Sequence, residues 1–152
     1  MPRHRPQIRR VSRYSSLIPA CIATLAIDPG YAQAWAELAR NFFEETGYLS
    51  LRPIAQVFLL SREAAERALA IDPRRVEAHV DLGNLAYERG DLDEAARRYA
   101  DAITADSLFT DAYANLGQVH IDRKAFREAI DVLEQAKAIA PGNAAVRFRL
   151  GI

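Results

Sequence analysis

The sequence predicts an all-α protein, a right-handed α-α superhelix or solenoid built of antiparallel helical hairpins. The first observation is a period of 34 residues, since Leu82-Gly83 recurs as Leu116-Gly117 and again as Leu150-Gly151. Alanines recur with the same spacing: Ala78 and Ala112, Ala95 and Ala129, Ala102 and Ala136. A fixed period of this size is typical of a supersecondary unit that buries its apolar face only by stacking on copies of itself.

Residues 76–109 form one repeat and predict a helical hairpin. The apolar residues of its first half are spaced as one stripe of a helix: Ala78, Leu82, Leu85 and Ala86. We expect Gly90 to end that helix in left-handed backbone. Asp91 and Glu94 are spaced as a capping box, which predicts the start of the second helix. The apolar side of that helix comprises Leu92, Ala95, Ala96, Tyr99, Ala102 and Ile103.

Residues 110–143 copy this unit with one informative difference. Lys124 stands where the preceding repeat has Gly90. If its backbone is left-handed, a residue other than glycine costs about 1–2 kcal/mol at this position. A further first helix starts at 144–152, and its partner helix is missing from the sequence.

An earlier repeat, residues 32–75, is longer than the others. Pro29 and Pro73 are 44 residues apart instead of 34, so this unit carries about ten extra residues. We place the extra residues around 47–56, between its two helices, and expect the second helix to run from Ile54 to Ile71. Residues 15–31 predict a partial repeat that contains only one helix, equivalent to the second helix of a hairpin.

These residues resemble the tetratricopeptide repeat family over about residues 22–152. The family pattern is a bulky residue, Leu-Gly, Tyr, Gly, Ala, an aromatic residue, Ala and Pro at fixed offsets. In the unit 76–109 it is represented by Leu82-Gly83, Tyr87, Gly90, Ala95, Tyr99 and Ala102. In the next unit it is represented by Tyr113, Leu116-Gly117, Ala129, Ala136 and Pro141. The long first unit is similar to repeats attached to bacterial signalling proteins.

The resemblance implies a non-enzymatic scaffold that binds a peptide or partner protein in a concave groove lined by the first helix of each hairpin. Transferred by position, the implied groove residues are Gln33, Arg40, Phe43, Glu44, Glu77, Val80, Asn84, Tyr87, Glu88, Asp111, Asn115, Gln118, Ile121 and Asp122. This set leans acidic, which favours a partner segment with basic residues. The alternative is that the acids only keep the face soluble.

Some members of the family clamp a C-terminal carboxylate with lysines, asparagines and an arginine. Asn84, Asn115 and Arg149 stand at three of the matching positions. Val80 and Ala145 stand where the lysines are needed. The missing lysines argue against a carboxylate ligand.

Composition argues against several classes of chemistry. The lone Cys21 excludes an internal disulfide and a cysteine metal cluster. His79 and His120 occupy repeat positions that other units fill with packed residues, so we interpret them as packing residues. No phosphate-binding loop or serine nucleophile elbow is present. We therefore expect no enzymatic activity, no cofactor and no metal.

Residues 1–14 are predicted to form a basic, disordered arm. The arginines of the arm are Arg3, Arg5, Arg9, Arg10 and Arg13. A nucleic-acid-associated adaptor acting through this arm is an alternative function, although five charges with few aromatic residues make nucleic acid the less favoured partner.

The sequence also predicts where the chain acts. No apolar run approaches the 18 or so residues of a transmembrane helix. The apolar stretch before Cys21 is too short for an export signal. The cytoplasm is therefore the predicted location.

The unfinished last helix allows two interpretations. The chain is either a fragment, such as the regulatory segment of a larger signalling or transferase enzyme, or it self-associates through this uncapped end.

Overall fold

A computed structural model describes residues 17–45 and 52–151 of the chain. These residues form eight α-helices and no strand: α1 (Leu17–Ile27), α2 (Ala32–Glu44), α3 (Ile54–Ile71), α4 (Val76–Glu88), α5 (Leu92–Ala105), α6 (Thr110–Asp122), α7 (Phe126–Ile139) and α8 (Ala144–Leu150). Helices α2 and α3, α4 and α5, and α6 and α7 pack as consecutive antiparallel hairpins. The predicted all-α solenoid is confirmed. The arm predicted at 1–14 lies outside the described residues.

Left-handed residues end the first helices of the two regular hairpins. Gly90 has a φ of 78°, and Lys124 has a φ of 61° at the equivalent position. The next amide closes each turn, because the Asp91 N–H donates to Ala86 O and the Ala125 N–H donates to His120 O, both at 2.9 Å. The expected left-handed conformation of Gly90 is confirmed, and Lys124 adopts the same conformation in spite of its side chain.

The predicted capping box at the start of α5 is only half correct. The Asp91 carboxylate accepts a hydrogen bond from the Glu94 N–H at 3.0 Å, as expected of an N-cap. The Glu94 carboxylate instead accepts from Arg98 Nε at 2.7 Å. The Asp91 N–H is already used by the turn that ends α4. The Asp91 N–H is therefore not free to donate to the Glu94 carboxylate, which is the second hydrogen bond of a capping box.

The recurring Leu-Gly pair marks the points where the two helices of a hairpin cross. A Cβ atom on Gly83 would lie 2.5 Å from Tyr99 Cε1, and one on Gly117 would lie 2.7 Å from Leu133 Cδ2. Tyr99 and Leu133 are both almost completely buried. Glycine is therefore required for the close approach and not for an unusual backbone conformation.

The ten extra residues of the long repeat are divided between a connection and a helix. Helix α3 runs from Ile54 to Ile71, as predicted, and has 18 residues where α5 has 14. The remaining six extra residues belong to the chain between α2 and α3, of which 46–51 lie outside the described residues. The Ser61 hydroxyl joins the two helices, because it donates to Ala39 O at 2.7 Å in a fully buried position.

The first helices form the inner layer of the solenoid. Helix α2 contacts α4, and α6 contacts α8, whereas α3, α5 and α7 pack mainly on the first helices beside them. The helices that lie closer together line the inside of a curved array. The exposed sides of α2, α4, α6 and α8 therefore define a concave face. Within the described part of the chain, no helix is long and apolar enough to cross a bilayer.

Candidate partner-binding groove

One inter-helix contact repeats along the concave face, and we call it the concave ladder. Each rung joins a side chain of one first helix to a side chain of the next: Arg40 to Asp81, Asn84 to Asn115, and Gln118 to Arg149. The rungs occupy equivalent positions of the repeat, because the first spans 41 residues and contains the ten extra residues, while the others span 31. The ladder therefore links all four first helices.

The chemistry of the ladder changes from one end of the solenoid to the other. Asp81, Asn115 and Arg149 hold the same position on α4, α6 and α8. The Asn115 Nδ2 donates to Asn84 Oδ1 at 3.4 Å, and the Arg149 Nε donates to Gln118 Oε1 at 3.3 Å. At this one position the ladder is thus acidic on α4, neutral on α6 and basic on α8.

A second network fixes the polar side chains around the middle rung. The Tyr87 hydroxyl donates to Asp122 Oδ2 at 2.6 Å, and Gln118 Nε2 donates to Asp122 Oδ1 at 3.0 Å. The bond to Asp122, with burial, raises the pKa of the Tyr87 phenol. The Tyr99 hydroxyl donates to Asn84 Oδ1 at 2.8 Å from the buried layer below. The bond from Tyr99, together with the one from Asn115, holds the Asn84 amide in one orientation.

The sequence-predicted groove residues differ in how much surface they present. The exposed ones are Gln33, Arg40, Glu88, Asp111 and Asp122. The half-buried ones are Phe43, Glu44, Glu77, Asn84, Tyr87, Asn115, Gln118 and Ile121. The structure brings together Asn84 with Asn115, and Tyr87 and Gln118 with Asp122. Phe43 stacks on Phe58 with ring centroids 6.4 Å apart, so it belongs to the α2–α3 contact.

The assignment of Val80 to the groove is wrong. Its side chain is 7% exposed and packs in a core cluster with Ala112 and Leu116 of α6. A first helix inside a solenoid contacts its own partner helix and the hairpins on both sides. Its buried face is therefore wider than the single stripe that the sequence pattern shows, and Val80 falls within it.

The sequence interpretation missed Asp81, the most deeply buried acid of the concave face. The residue is 2% exposed, and its Oδ1 lies 3.8 Å from Arg40 Nε. Burial raises the pKa of the Asp81 carboxyl to about 7, with Arg40 opposing the shift and Glu44 and Glu77 adding to it. The sequence does contain a signal for this residue, because Asp81 aligns with the polar residues Asn115 and Arg149 at the 34-residue spacing.

The predicted packing role of His79 is confirmed. His79 Nε2 lies 2.9 Å from Pro73 O. At the equivalent positions, Trp35 Nε1 donates to Pro29 O at 2.9 Å and the Tyr113 hydroxyl donates to Ser107 O at 3.0 Å. Each side chain thus ties its helix to the connection before it. Across residues 17–45 and 52–151, no cluster of three or more His, Cys, Asp or Glu side chains is arranged to hold a metal ion.

The fold and the repeated inner face define a helical-repeat solenoid. A family model described as tetratricopeptide repeat matches residues 58–107 and 80–144, which together make up more than half of the chain. The chain therefore belongs to the tetratricopeptide repeat family. Repeats of this family generally act as protein–protein interaction scaffolds, and the fold is typical of non-catalytic proteins.

Solved structures of low sequence identity share this fold. The crystal structure of MamA superimposes with a TM-score of 0.71 at 20% identity, covering 91% of this chain and 75% of MamA. A thermophilic TPR protein of Thermus thermophilus gives 0.79 at 15% identity, covering 91% and 71%. Pseudomonas aeruginosa PilF gives 0.74 at 25% identity, covering 90% and 58%. No curated protein sequence matches the chain.

Proposed function

We propose that the chain is a protein-interaction scaffold that holds a segment of a partner protein in the groove along α2, α4, α6 and α8. The middle rung of the concave ladder carries this proposal. Asn84 Oδ1 accepts from both Tyr99 and Asn115, and the Asn115 Nδ2 is used in that bond. Asn84 Nδ2 and Asn115 Oδ1 have no hydrogen-bond partner among the described residues.

A free amide donor beside a free carbonyl acceptor is the complement of a peptide group, which presents one acceptor and one donor. The two asparagines thus offer the main chain of a partner a hydrogen bond of each kind. The hydrogen bond from Tyr99 to Asn84 and the bond between the two asparagines already restrain these side chains. Binding therefore costs little additional side-chain entropy. Main-chain recognition of this kind suits a segment that crosses several first helices in turn.

The experiment is a selection from a displayed library of random peptides with the intact chain as bait. A retained peptide is synthesised with a fluorescent label, and its affinity is measured by anisotropy. We expect Asn115→Leu to weaken binding by about tenfold, because the free acceptor is lost. The matched control is Gln135→Leu on the outer helix α7, whose exposed amide bonds only Asp131 O of its own helix.

Two results would contradict the proposal. One is a selection in which the intact chain retains no peptide. The other is an Asn115→Leu protein that remains helical by circular dichroism and binds the peptide as tightly as the Gln135→Leu control.

A C-terminal carboxylate is a poor fit to the same groove. Of the two positions that would need lysine, one holds the buried Val80 and the other holds Ala145. Arg149 is engaged with Gln118 and with Ala145 O of its own helix. We propose main-chain recognition in place of carboxylate capture.

We further propose that the scaffold acts in the cytoplasm. Cys21 is a buried free thiol, which is compatible with a reducing compartment. Cell fractionation with an antibody to the chain tests the location, and recovery in a membrane or external fraction would contradict it. The nucleic-acid alternative depends on the arm outside the described residues, and the larger-enzyme alternative depends on further domains. Both stay predictions.

A further inference from the structure

Asp81 differs from its counterparts in the concave ladder because its carboxylate makes no hydrogen bond across its rung. Its counterparts on α6 and α8, Asn115 and Arg149, both donate hydrogen bonds across their rungs. The Asp81 carboxylate lies 3.8 Å from Arg40 Nε, which is beyond hydrogen-bonding distance. Its second oxygen, Oδ2, is buried and has no hydrogen-bond partner in the part of the chain that the structure describes.

A buried carboxylate without hydrogen bonds is an unfavourable arrangement in a free protein. Arg40 compensates it only weakly, because the arginine side chain is 44% exposed and interacts partly with water. The Glu44 Oε2 atom on α2 is likewise buried without a partner. Two unpaired carboxylate oxygens therefore occur where α2 faces α4.

The charges around Asp81 favour a cation. From α2 it faces Arg40 and Glu44, its own helix contributes Glu77, and Tyr99 approaches from α5. Asp81 and Glu44 thus share Arg40, whereas Glu77 also lies 3.8 Å from Arg75. Arg40 is attached by a single long contact, so its side chain can move aside without breaking a hydrogen bond.

We propose that Asp81 receives a cationic side chain, arginine or lysine, of the partner segment that the groove holds, with Arg40 displaced toward solvent. The inference rests on the proposed function and names the chemistry of its ligand. An incoming guanidinium or ammonium supplies the charged hydrogen bonds that Arg40 does not make. Asp81 therefore selects for a positive charge, while the Asn84–Asn115 rung binds main chain of any sequence.

The raised pKa of Asp81 supports this assignment and predicts a pH dependence. With a pKa of about 7, the carboxyl is largely protonated at pH 6 and largely ionised at pH 8. A cationic side chain binds the ionised form, so its binding releases a proton when the pH is below that value. The affinity for a basic peptide should therefore rise from pH 6 to pH 8.

The test is the same library selection, carried out with the wild-type chain and with Asp81→Asn. The wild-type chain should enrich arginine or lysine at one peptide position. The best retained peptide is then compared with versions carrying arginine, lysine, citrulline or glutamate at that position. We expect both cationic peptides to bind at least about tenfold more tightly than the citrulline peptide. Asp81→Asn should remove this preference, while Asp101→Asn on the outer helix α5 should retain it.

The experiment distinguishes a failure of the role proposed for Asp81 from a failure of the scaffold function. Asparagine matches aspartate in shape, so Asp81→Asn is expected to fold, and a thermal melt verifies this. A chain that retains peptides without cationic enrichment, or whose preference survives Asp81→Asn, contradicts the role of Asp81 and leaves the scaffold function intact. A chain that retains no peptide contradicts both.

Discussion

Gly83 and the Tyr99 ring meet where α4 crosses α5, and this contact sets how closely a hairpin can pack. Tyr99 is 2% exposed, and its hydroxyl is bonded to Asn84, so the ring has little freedom to move. The same ring thus limits the helix spacing and orients an amide of the concave ladder. A single residue position therefore couples the fold to the groove.

Gly83→Ala should lower the free energy of unfolding by about 1 kcal/mol. The added Cβ would lie 2.5 Å from Tyr99 Cε1, and overpacking of this kind typically costs about 1–3 kcal/mol. The gain in helix propensity, about 1 kcal/mol, offsets only part of this cost. Urea denaturation measures the change. Gly142→Ala is the control, since no atom lies within 4 Å of its added Cβ; equal effects of the two changes would refute the crossing-point explanation.

Lys124→Gly should stabilise the protein by about 0.5–1 kcal/mol. The φ of 61° is strained for lysine, and glycine removes a strain of about 1–2 kcal/mol while increasing the entropy of the unfolded chain. The mirror change, Gly90→Ala at a φ of 78°, should destabilise it by about 1 kcal/mol. Thermal unfolding compares both variants, and opposite signs are expected. Destabilisation by Lys124→Gly would show that the lysine side chain contributes more than the backbone strain.

Asp81→Asn should stabilise the free protein most at pH 8 and considerably less at pH 5, where only part of the penalty has developed. The folded-state pKa of Asp81 is raised from 3.8 to about 7, so the folded protein binds the proton more tightly. Stability therefore falls as the pH rises from about 4 to about 7, and the whole penalty is present above pH 7. We expect a gain of about 1–3 kcal/mol at pH 8. Denaturant melts at both pH values test this, and an equal effect at both would contradict it.

Helix α5 shows how the elements of the regular repeats begin and end. Asp91 caps α5 and also contributes its N–H to the turn that closes α4. In α7 the equivalent residue is Ala125, which has no capping side chain. The two hairpins thus share the left-handed turn but differ in the cap. The fold tolerates the loss of a cap in one repeat because packing against neighbouring helices provides most of the stability.

Asp91→Ala should destabilise the protein by about 1 kcal/mol, because the Glu94 N–H loses its acceptor. Chemical denaturation followed by circular dichroism measures the change. Asp101→Ala on the outward side of the same helix serves as the control, since it removes an exposed acid that caps nothing. No difference between the two variants would contradict a capping role.

For the whole molecule, the 34-residue period is sufficient to predict the architecture but not to predict which residues line the groove. The sequence pattern predicts the hairpins, the left-handed Gly90 and the bounds of α3, because these depend on local sequence and spacing. Val80 and Asp81 were misplaced or missed because their burial depends on how neighbouring hairpins contact one another. The sequence shows that Asp81, Asn115 and Arg149 align across the repeats, but it does not show the contacts that they make with the preceding helix.

We propose that the inner layer of helices, and not the outer one, holds the partner segment. Amide and side-chain NMR spectra of the isotopically labelled chain, recorded while the selected peptide is added, test it most directly. We expect the largest shift changes at the Asn84 and Asn115 side chains and along α4 and α6. Outward positions such as Arg97 on α5 and Glu128 on α7 should stay unchanged. Shift changes concentrated on α5 and α7, with the two asparagines unaffected, would contradict the proposed groove.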